Sequence, residues 1–402
     1  MNKILAISYS PPMPDLHSGD LRFYSILKIL ARNHGKVTLV AKDLFEWHQK
    51  TPDSTRYKTM LADIGVILHE GDIFSALNSN RFDYIIFEFY YMATEFSDLA
   101  RRLQPQALSI IDSVDIHFSR LQAKAKLTNS LDDKNEAEKV RTDELNAYQN
   151  ADIIIAVSED DKSLLQDLMP DKYIFVLPNV HAIHEIPPRS KREFGRLVFI
   201  GGFSFPPNLD AILYFLNEIM PLIRAKTTEV KLSIIGSNIP QKIFDMAATD
   251  VDVIGFVPET TSYLQSAYIS IAPLRYGGGM KGKVGEALSH GLPVVTTQFG
   301  AEGFGLTPGR DLLVAETPDM FAEAVLKLLA DSNYYDEISK AGHRFISDNY
   351  STEAMEIRLA NFLEKIKEIT PIKLPWHKMA SYCVQRLLDK HIMWRIKSKQ
   401  WR

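Results

Sequence analysis

The sequence predicts an α/β protein built from two doubly wound domains that face each other across a cleft, and three observations carry the prediction. Short β-branched runs alternate with longer amphipathic segments from end to end, as βα units around a parallel sheet require. That series occurs twice, with a polar, proline-containing stretch between the two copies. The length of 402 residues exceeds one ordinary core and suits two of roughly 150 to 200 residues each.

Taken in order, the first series places strands at Lys3–Ser8, Lys36–Ala41, Val66–His69, Tyr84–Phe87, Leu108–Asp112, Asp152–Val157 and Tyr173–Leu177, with helices such as Leu21–Asn33 between them. Pro178 and Asn179 lead into "HAIHEIPPRSKR", ending at Arg192, which reads as an interdomain linker. The second series begins at Arg196, with strands at Leu197–Ile200, Lys231–Ile235, Val251–Ile254, Ile269–Ala272, Pro293–Thr296 and Leu312–Val314. The expected domains are therefore 1–180 and 190–350, followed by a basic tail at 373–402. In open α/β sheets ligands sit beyond the carboxyl ends of the strands, so the loops leaving these strands are the candidate sites.

Composition narrows the function classes. Hydrophobic residues at 46% and charged residues at 24% are those of a soluble globular protein, and a net charge of −4 gives no global attraction to nucleic acid. A single cysteine, Cys383, rules out an internal disulfide and a cysteine-built zinc site, in keeping with a reducing compartment. The apolar run Ile4–Ile7 is closed off by Pro11, Pro12 and Asp15, too soon for a signal peptide or a membrane span. A cytoplasmic protein is expected.

The stretch "APLRYGGGMKGKVGEALSHGLPVVTT", residues 272–297, is the most informative. It predicts a strand, a glycine loop over 273–279, and a helix from about Met280 to His290 stopped by Gly291 and Pro293. Free N–H groups at a helix start, with Gly278 and Gly279 allowing close backbone approach, form an anion site. Lys281 and Lys283 add point charges suited to a diphosphate. Glu286, one turn beyond Lys283, accepts hydrogen bonds from hydroxyls such as those of a ribose. Phosphate followed by ribose spells nucleotide. The alternative is a solvated turn carrying a Lys283–Glu286 surface pair, worth a few tenths of a kcal/mol (~0.3).

With its context, this segment resembles the donor half of the retaining nucleotide-sugar glycosyltransferases of GT-B fold, glycosyl transferases group 1, the family that includes sucrose synthase and bacterial polysaccharide enzymes. The resemblance runs over about residues 3–365. It is carried by "YSPPMPDLHSGDLRFYSILKIL", "NADIIIAVSEDD", "VLPNV", "LVFIGGFSFPPNLDAILYFL", "IIGSN", "VDVIGFVPE" and "KGKVGEALSHGLPVVTT", in that order. It implies two Rossmann-like domains, with the segment after about 350 packed back on the first. It also implies a nucleoside diphosphate sugar as donor, no cofactor, and a glycan or lipid-linked saccharide as acceptor. Glu286 would hold the ribose, Phe256 and Val257 would flank the base, and Gly202 would lie by the diphosphate. Many members carry two glutamates eight positions apart; here the second is Glu286 and the first position is Gly278. "GGFSFPPN" also lacks the basic pair often found there, and Lys281 and Lys283 replace that charge, as in a G-x-K-x-K branch of the family.

The first domain should furnish the opposite wall. Ser18 and Gly19 stand between the first strand and first helix, where N–H groups can approach a donor phosphate, and Arg22, one turn on, is expected either to add charge or to sit on the helix surface. No G-x-G-x-x-G follows this strand, which argues against a nicotinamide enzyme. "IIDSVDIHFSRL" gathers Asp112, Asp115, His117 and Arg120 beyond a strand end. By resemblance His117 contacts the donor sugar and, with Lys281 and Lys283, is a catalytic candidate. Asp115 and Arg120 fall on the acceptor or sugar side, and at least one of Asp112 and Asp115 is expected to cap the next helix.

Three features are set aside. Asp250-x-Asp252 suggests a metal, but Asp252 lies within an alternating strand and no histidine spacing supports zinc, so none is expected. Ser158 lacks a G-x-S-x-G elbow. The tail at 373–402 holds eight lysines and arginines against Asp389, with Trp376, Trp394 and Trp401 interleaved; it suits an anionic membrane surface or a helix packed on the first domain. The activity expected is retaining sugar transfer to a hydroxyl, without metal. A catalytically silent sugar-nucleotide-binding homologue, motivated by Gly278, and a nucleotide-sugar epimerase of similar fold are the alternatives.

Overall fold

The structure is a computed structural model that describes residues 2–16, 18–277 and 279–372. Gly278 and the basic tail, two of the features singled out above, lie outside the described residues.

Two parallel sheets form, and each expected strand is present in one of them. The first sheet contains β1 (Asn2–Ser8), β2 (Gly35–Ala41), β3 (Ile67–Leu68), β4 (Tyr84–Glu88), β5 (Leu108–Asp112), β6 (Ile153–Ala156) and β7 (Tyr173–Val176), in the order β3-β2-β1-β4-β5-β6-β7. The second contains β8 (Arg196–Ile200), β9 (Lys231–Ile235), β10 (Val251–Gly255), β11 (Ile269–Ala272), β12 (Val294–Thr296) and β13 (Leu313–Val314), in the order β10-β9-β8-β11-β12-β13. Every pairing between these strands is parallel. Ile4–Ile7 and the whole of β4 and β5 are buried, as strands covered by helices on both faces must be.

In both sheets the winding reverses beside the first strand, between β1 and β4 and between β8 and β11. Such switch points leave a crevice at the carboxyl ends. Register brings the loops together there. β1 pairs with β4 from Ile4↔Tyr84 to Ile7↔Phe87, and β4 pairs with β5 up to Glu88↔Asp112, so the chain segments after these strands emerge side by side.

The helices that matter for the site are α1 (Ser18–Asn33), α2 (Tyr90–Leu103), α3 (His117–Thr128), α4 (Leu131–Asn150), α5 (Glu159–Leu168), α6 (Pro206–Tyr214), α7 (Gly282–Ser289) and α8 (Thr352–Ile366). α8 returns to the first domain. Its Met355, Leu359, Phe362, Leu363 and Ile366 join a core with Ile4, Phe23, Ile26 and Leu177. Each such side chain, fully buried, contributes about 1.5–3 kcal/mol, enough to tie the two halves at this end. The 181–192 stretch is no free linker. His184 N–H donates to the Ser289 carbonyl, and the buried Arg192 guanidinium donates to the carbonyls of Leu264, Ala267 and His290. Among the described residues no helix is long and apolar enough to cross a membrane.

Candidate active site

The glycine loop leaves β11 at the switch point of the second sheet and enters α7. The helix is shorter than the pattern predicts, because Lys281 is extended (φ −85°, ψ 93°) and serves as the N-cap residue. Val284, Ala287 and Leu288 bury the inner face. Gly285 lets the helix lie on the His181 ring: a Cβ there would meet Nε2 at 2.1 Å. Gly291, at φ +61°, stops the helix where an L side chain would be strained.

The two loop lysines have few compensating charges. Lys281 is 8% exposed, donates to the Gly279 carbonyl at 2.7 Å, and lies 3.7 Å from Glu302. Lys283 donates to the Asn208 side-chain oxygen and sits 4.5 Å above the Phe199 ring. Among the described residues no carboxylate lies within salt-bridge distance of it. Desolvation, with the Lys281 charge as a lesser cause, brings the Lys283 ammonium down to about 7, and burial also lowers Lys281. Glu286 accepts a hydrogen bond from Thr260 rather than pairing with Lys283, so the surface-pair alternative is not what forms. Burial raises its carboxyl above the ordinary range, with Thr260 partly opposing.

Gly201 and Gly202 complete this wall. A Cβ on Gly201 would stand 3.0 Å from the Lys283 ammonium, and one on Gly202 would stand 3.3 Å from Ser237. Asn208, on α6, ties the parts together: its amide N–H donates to the Gly202 carbonyl at 2.7 Å while its oxygen accepts from Lys283. The sequence reading missed Asn208, whose only signal was its place one turn into a proline-started helix. Phe256, 55% exposed, and the half-buried Val257 follow β10, shortly before Thr260.

The first domain meets this loop directly. Ser18 and Gly19 open α1, and a Cβ on Gly282 would lie 2.6 Å from that of Ser18. A Cβ on Gly279 would lie 3.1 Å from that of Asp115. His117 Nε2 is 2.8 Å from one Asp115 oxygen and Arg120 Nε donates to the other at 2.9 Å. Burial pushes the Asp115 carboxyl up, but His117 and Arg120 outweigh it and hold it below the usual range. Arg120 also reaches the second domain, lying 5.4 Å over the Phe205 ring.

Two expectations need correction. Arg22 adds no charge to the glycine loop and is not a surface residue: it is fully buried, pairs with Asp112 at 2.7 Å and donates to the Leu177 carbonyl at 2.9 Å. Burying the long guanidinium inside α1 needs a carboxylate, and the end of β5 provides it. Neither Asp112 nor Asp115 caps the following helix. Glu144 of α4 does so from outside, accepting from the His117 and Phe118 N–H groups at 3.1 and 2.9 Å while Tyr148 fixes it at 2.7 Å. Asp250 and Asp252 pair with Arg224 and Arg196, as strand-edge residues do, and no cluster of metal-ligating side chains occurs among the described residues.

The arrangement brings a pair of under-compensated cations and a helix start against a histidine–aspartate pair, with a carboxylate one helical turn further on. Such a set can bind a diphosphate ester of a polyhydroxy compound.

Comparison with known proteins agrees. Residues 195–331 match the family model for glycosyl transferases group 1. A protein of Klebsiella pneumoniae described as an uncharacterized 44.6 kDa protein in the cps region is 26% identical over 166 residues, and this match spans 39% of the chain and 43% of that protein. Sucrose-phosphate synthase from Thermosynechococcus elongatus superposes with a TM-score of 0.66 at 14% identity, covering 91% of this chain and 99% of that one. HepE from Anabaena, solved with UDP-glucose, gives 0.66 at 12% identity over 91% and 100%. TarM from S. aureus, solved with UDP and alpha-GlcNAc-glycerol, gives 0.57 at 15% identity over 72% and 57%. The fold is GT-B. Within that fold, residues 195–331 are similar to glycosyl transferases group 1, and the match to the Klebsiella protein spans less than half of either chain.

Proposed function

We propose that this protein is a glycosyltransferase that moves a hexose-type sugar from a nucleoside diphosphate to a hydroxyl of a glycan or lipid-linked saccharide, with retention of anomeric configuration and without a metal, in the synthesis of cell-surface polysaccharide. The observation that carries the reading is Lys283: a half-buried lysine at a helix start whose described partners are a neutral amide and an aromatic ring. An anion is the missing partner. The cps region named for the Klebsiella relative supports the polysaccharide setting, and the UDP and UDP-glucose named for the solved neighbours make UDP-sugars the first donors to test.

Lys281, Lys283 and the loop N–H groups hold the diphosphate, Glu286 the ribose, and Phe256 with Val257 the base. The bond from the anomeric carbon to the phosphate oxygen breaks as the acceptor hydroxyl oxygen attacks that carbon from the same face. The acceptor proton passes to the departing phosphate oxygen. Negative charge grows on the diphosphate, where the preorganised cations are most effective. His117, oriented by Asp115, contacts the sugar near the reacting carbon. With Gly278 at the position of the family's first glutamate, that contact to the sugar comes from backbone or from another group.

Turnover tests the reading. Purified protein is offered UDP-, GDP-, dTDP- and ADP-sugars with and without a polysaccharide extract, and nucleoside diphosphate release is followed. Release from one donor, accelerated by the extract and lost in Lys283→Ala, is the expected result. Donor binding without any turnover would favour the silent homologue, and a changed sugar nucleotide formed without acceptor would favour an epimerase.

A further inference from the structure

At the switch point of the first sheet the chain leaves β4 through Phe89 in an unusual conformation. Its φ is +67° with ψ 153°, a region that glycine adopts freely and a bulky L residue does not. Val114, after the neighbouring strand β5, also has a positive φ, +59°. Such strain, of order 1–3 kcal/mol at each residue, persists where its surroundings enforce it and gathers at ligand sites. Here the Phe89 N–H is tied to the Asp112 carbonyl at 2.8 Å, which holds the turn in place.

The strained turn puts aromatic rings around His117. The Phe89 and Tyr91 rings stack at 5.1 Å with planes 13° apart. The imidazole lies 5.6 Å from Phe89, 5.3 Å from Tyr90 and 6.1 Å from Tyr91. All three aromatic side chains are half-buried. Their position relative to the donor loop is asymmetric. Asp115, on one ring nitrogen of His117, approaches Gly279 of the donor loop, whereas the aromatic residues come from β4 and α2 of the first domain. His117 therefore stands between the diphosphate loop and the aromatic triplet.

We propose that Phe89, Tyr90 and Tyr91 form the acceptor platform of this enzyme, on which one face of an acceptor pyranose ring stacks beside His117. The occupant follows from the surface. Flat rings match the row of C–H groups on a pyranose face, while the tyrosine hydroxyls and the imidazole can meet its hydroxyls at the edge. A lipid chain would need a continuous apolar channel, whereas here His117 and its partner Asp115 border the three rings. Stacking on Tyr91 holds the Phe89 ring in advance, so less side-chain freedom is lost when a weakly bound sugar arrives. The proposal rests on the transferase reading for the identity of the sugar as acceptor.

The test uses the full chain and separates the two ideas. Saturation-transfer NMR is recorded with methyl pyranosides as probes: the α- and β-glucosides, α-galactoside, α-mannoside and N-acetyl-β-glucosaminide, each with and without UDP. Phe89→Gly removes the ring and suits the left-handed turn, so its melting temperature should not fall far; Tyr91→Leu keeps bulk without aromaticity. At least one probe should bind to the wild type with saturation concentrated on the C–H protons of one face. Both variants should weaken it by about fivefold or more, with UDP affinity unchanged. Absence of binding by every probe, or binding that neither variant alters, would overturn the platform. Failure of UDP to bind, with the pyranoside effect intact, would instead remove the donor reading and leave the platform standing.

Discussion

The two domains present the same topology at the same kind of switch point, yet only the second leaves a lysine there, Lys283, without a carboxylate among the described residues. In the first domain each cation near the strand ends has a carboxylate: Arg22 has Asp112, and Arg120 shares Asp115 with His117. In the second, Arg275 also has a carboxylate, Asp210, but Lys283 has Asn208 and the face of Phe199, and Lys281 has a carbonyl with Glu302 at 3.7 Å. A buried charge with its counterion inside the fold is structural, and one whose partner is neutral is poised for a charged ligand. Under the proposed function, the diphosphate falls to the second domain and the orientation of sugar to the first.

Removing an internal pair should break the first domain hardest. Arg22→Met leaves Asp112 buried without its cation, and a loss of about 3–5 kcal/mol in denaturant unfolding is expected, with nucleotide affinity unchanged in the protein that remains folded. If Arg22→Met weakens nucleotide binding and spares stability, the contrast between the domains is wrong. In the second domain Lys283→Ala should weaken nucleoside diphosphate binding by about 1.5–3 kcal/mol, roughly ten- to 150-fold, since a charge-assisted contact is lost. Calorimetry reads it directly.

Titration sharpens the same contrast. The free Lys283 ammonium is lowered to about 7, and a bound diphosphate favours its charged form, so binding takes up a proton above that pH. Affinity should be insensitive to this group at lower pH and fall as pH rises past about 7, approaching tenfold per unit. The slope should vanish in Lys283→Ala. For stability the sign is opposite to that of a stabilising ion pair: the folded value lies below the unfolded one, so the unliganded fold gains stability from this group as pH rises from about 7. The smallest expected effect is at Glu286. Glu286→Gln should weaken UDP by about fivefold through the ribose and leave inorganic pyrophosphate unchanged, a pair of titrations that separates ribose from phosphate.

The fold was largely legible because parallel strands covered on both faces are contiguous apolar runs, as in Ile4–Ile7 and Leu108–Ile111, and they need no knowledge of distant contacts. The loop after β11 and the helix that follows it, which gather Lys281, Lys283 and Glu286, were legible for a similar reason: they are local in sequence. What stayed hidden depends on residues far apart. Arg22 meets Asp112 ninety positions away, and nothing near it in α1 announces a buried partner. The cap of α3 comes from Glu144, so the acids next to that helix misled the reading. The 181–192 segment looked like a linker because it is polar and carries prolines, while Arg192 satisfies three carbonyls beneath the surface. Phe89 was the least visible of all, since glycine, not phenylalanine, signals a left-handed turn.

The central claim is that the loop lysines await a diphosphate. Its most direct test is calorimetric titration of UDP, GDP, dTDP and ADP into the wild type, Lys283→Ala and Glu286→Ala at constant pH. One diphosphate should bind selectively, Lys283→Ala should weaken it by about tenfold or more, and Glu286→Ala should weaken it less. Equal affinity in wild type and Lys283→Ala, or no binding of any diphosphate, would contradict it.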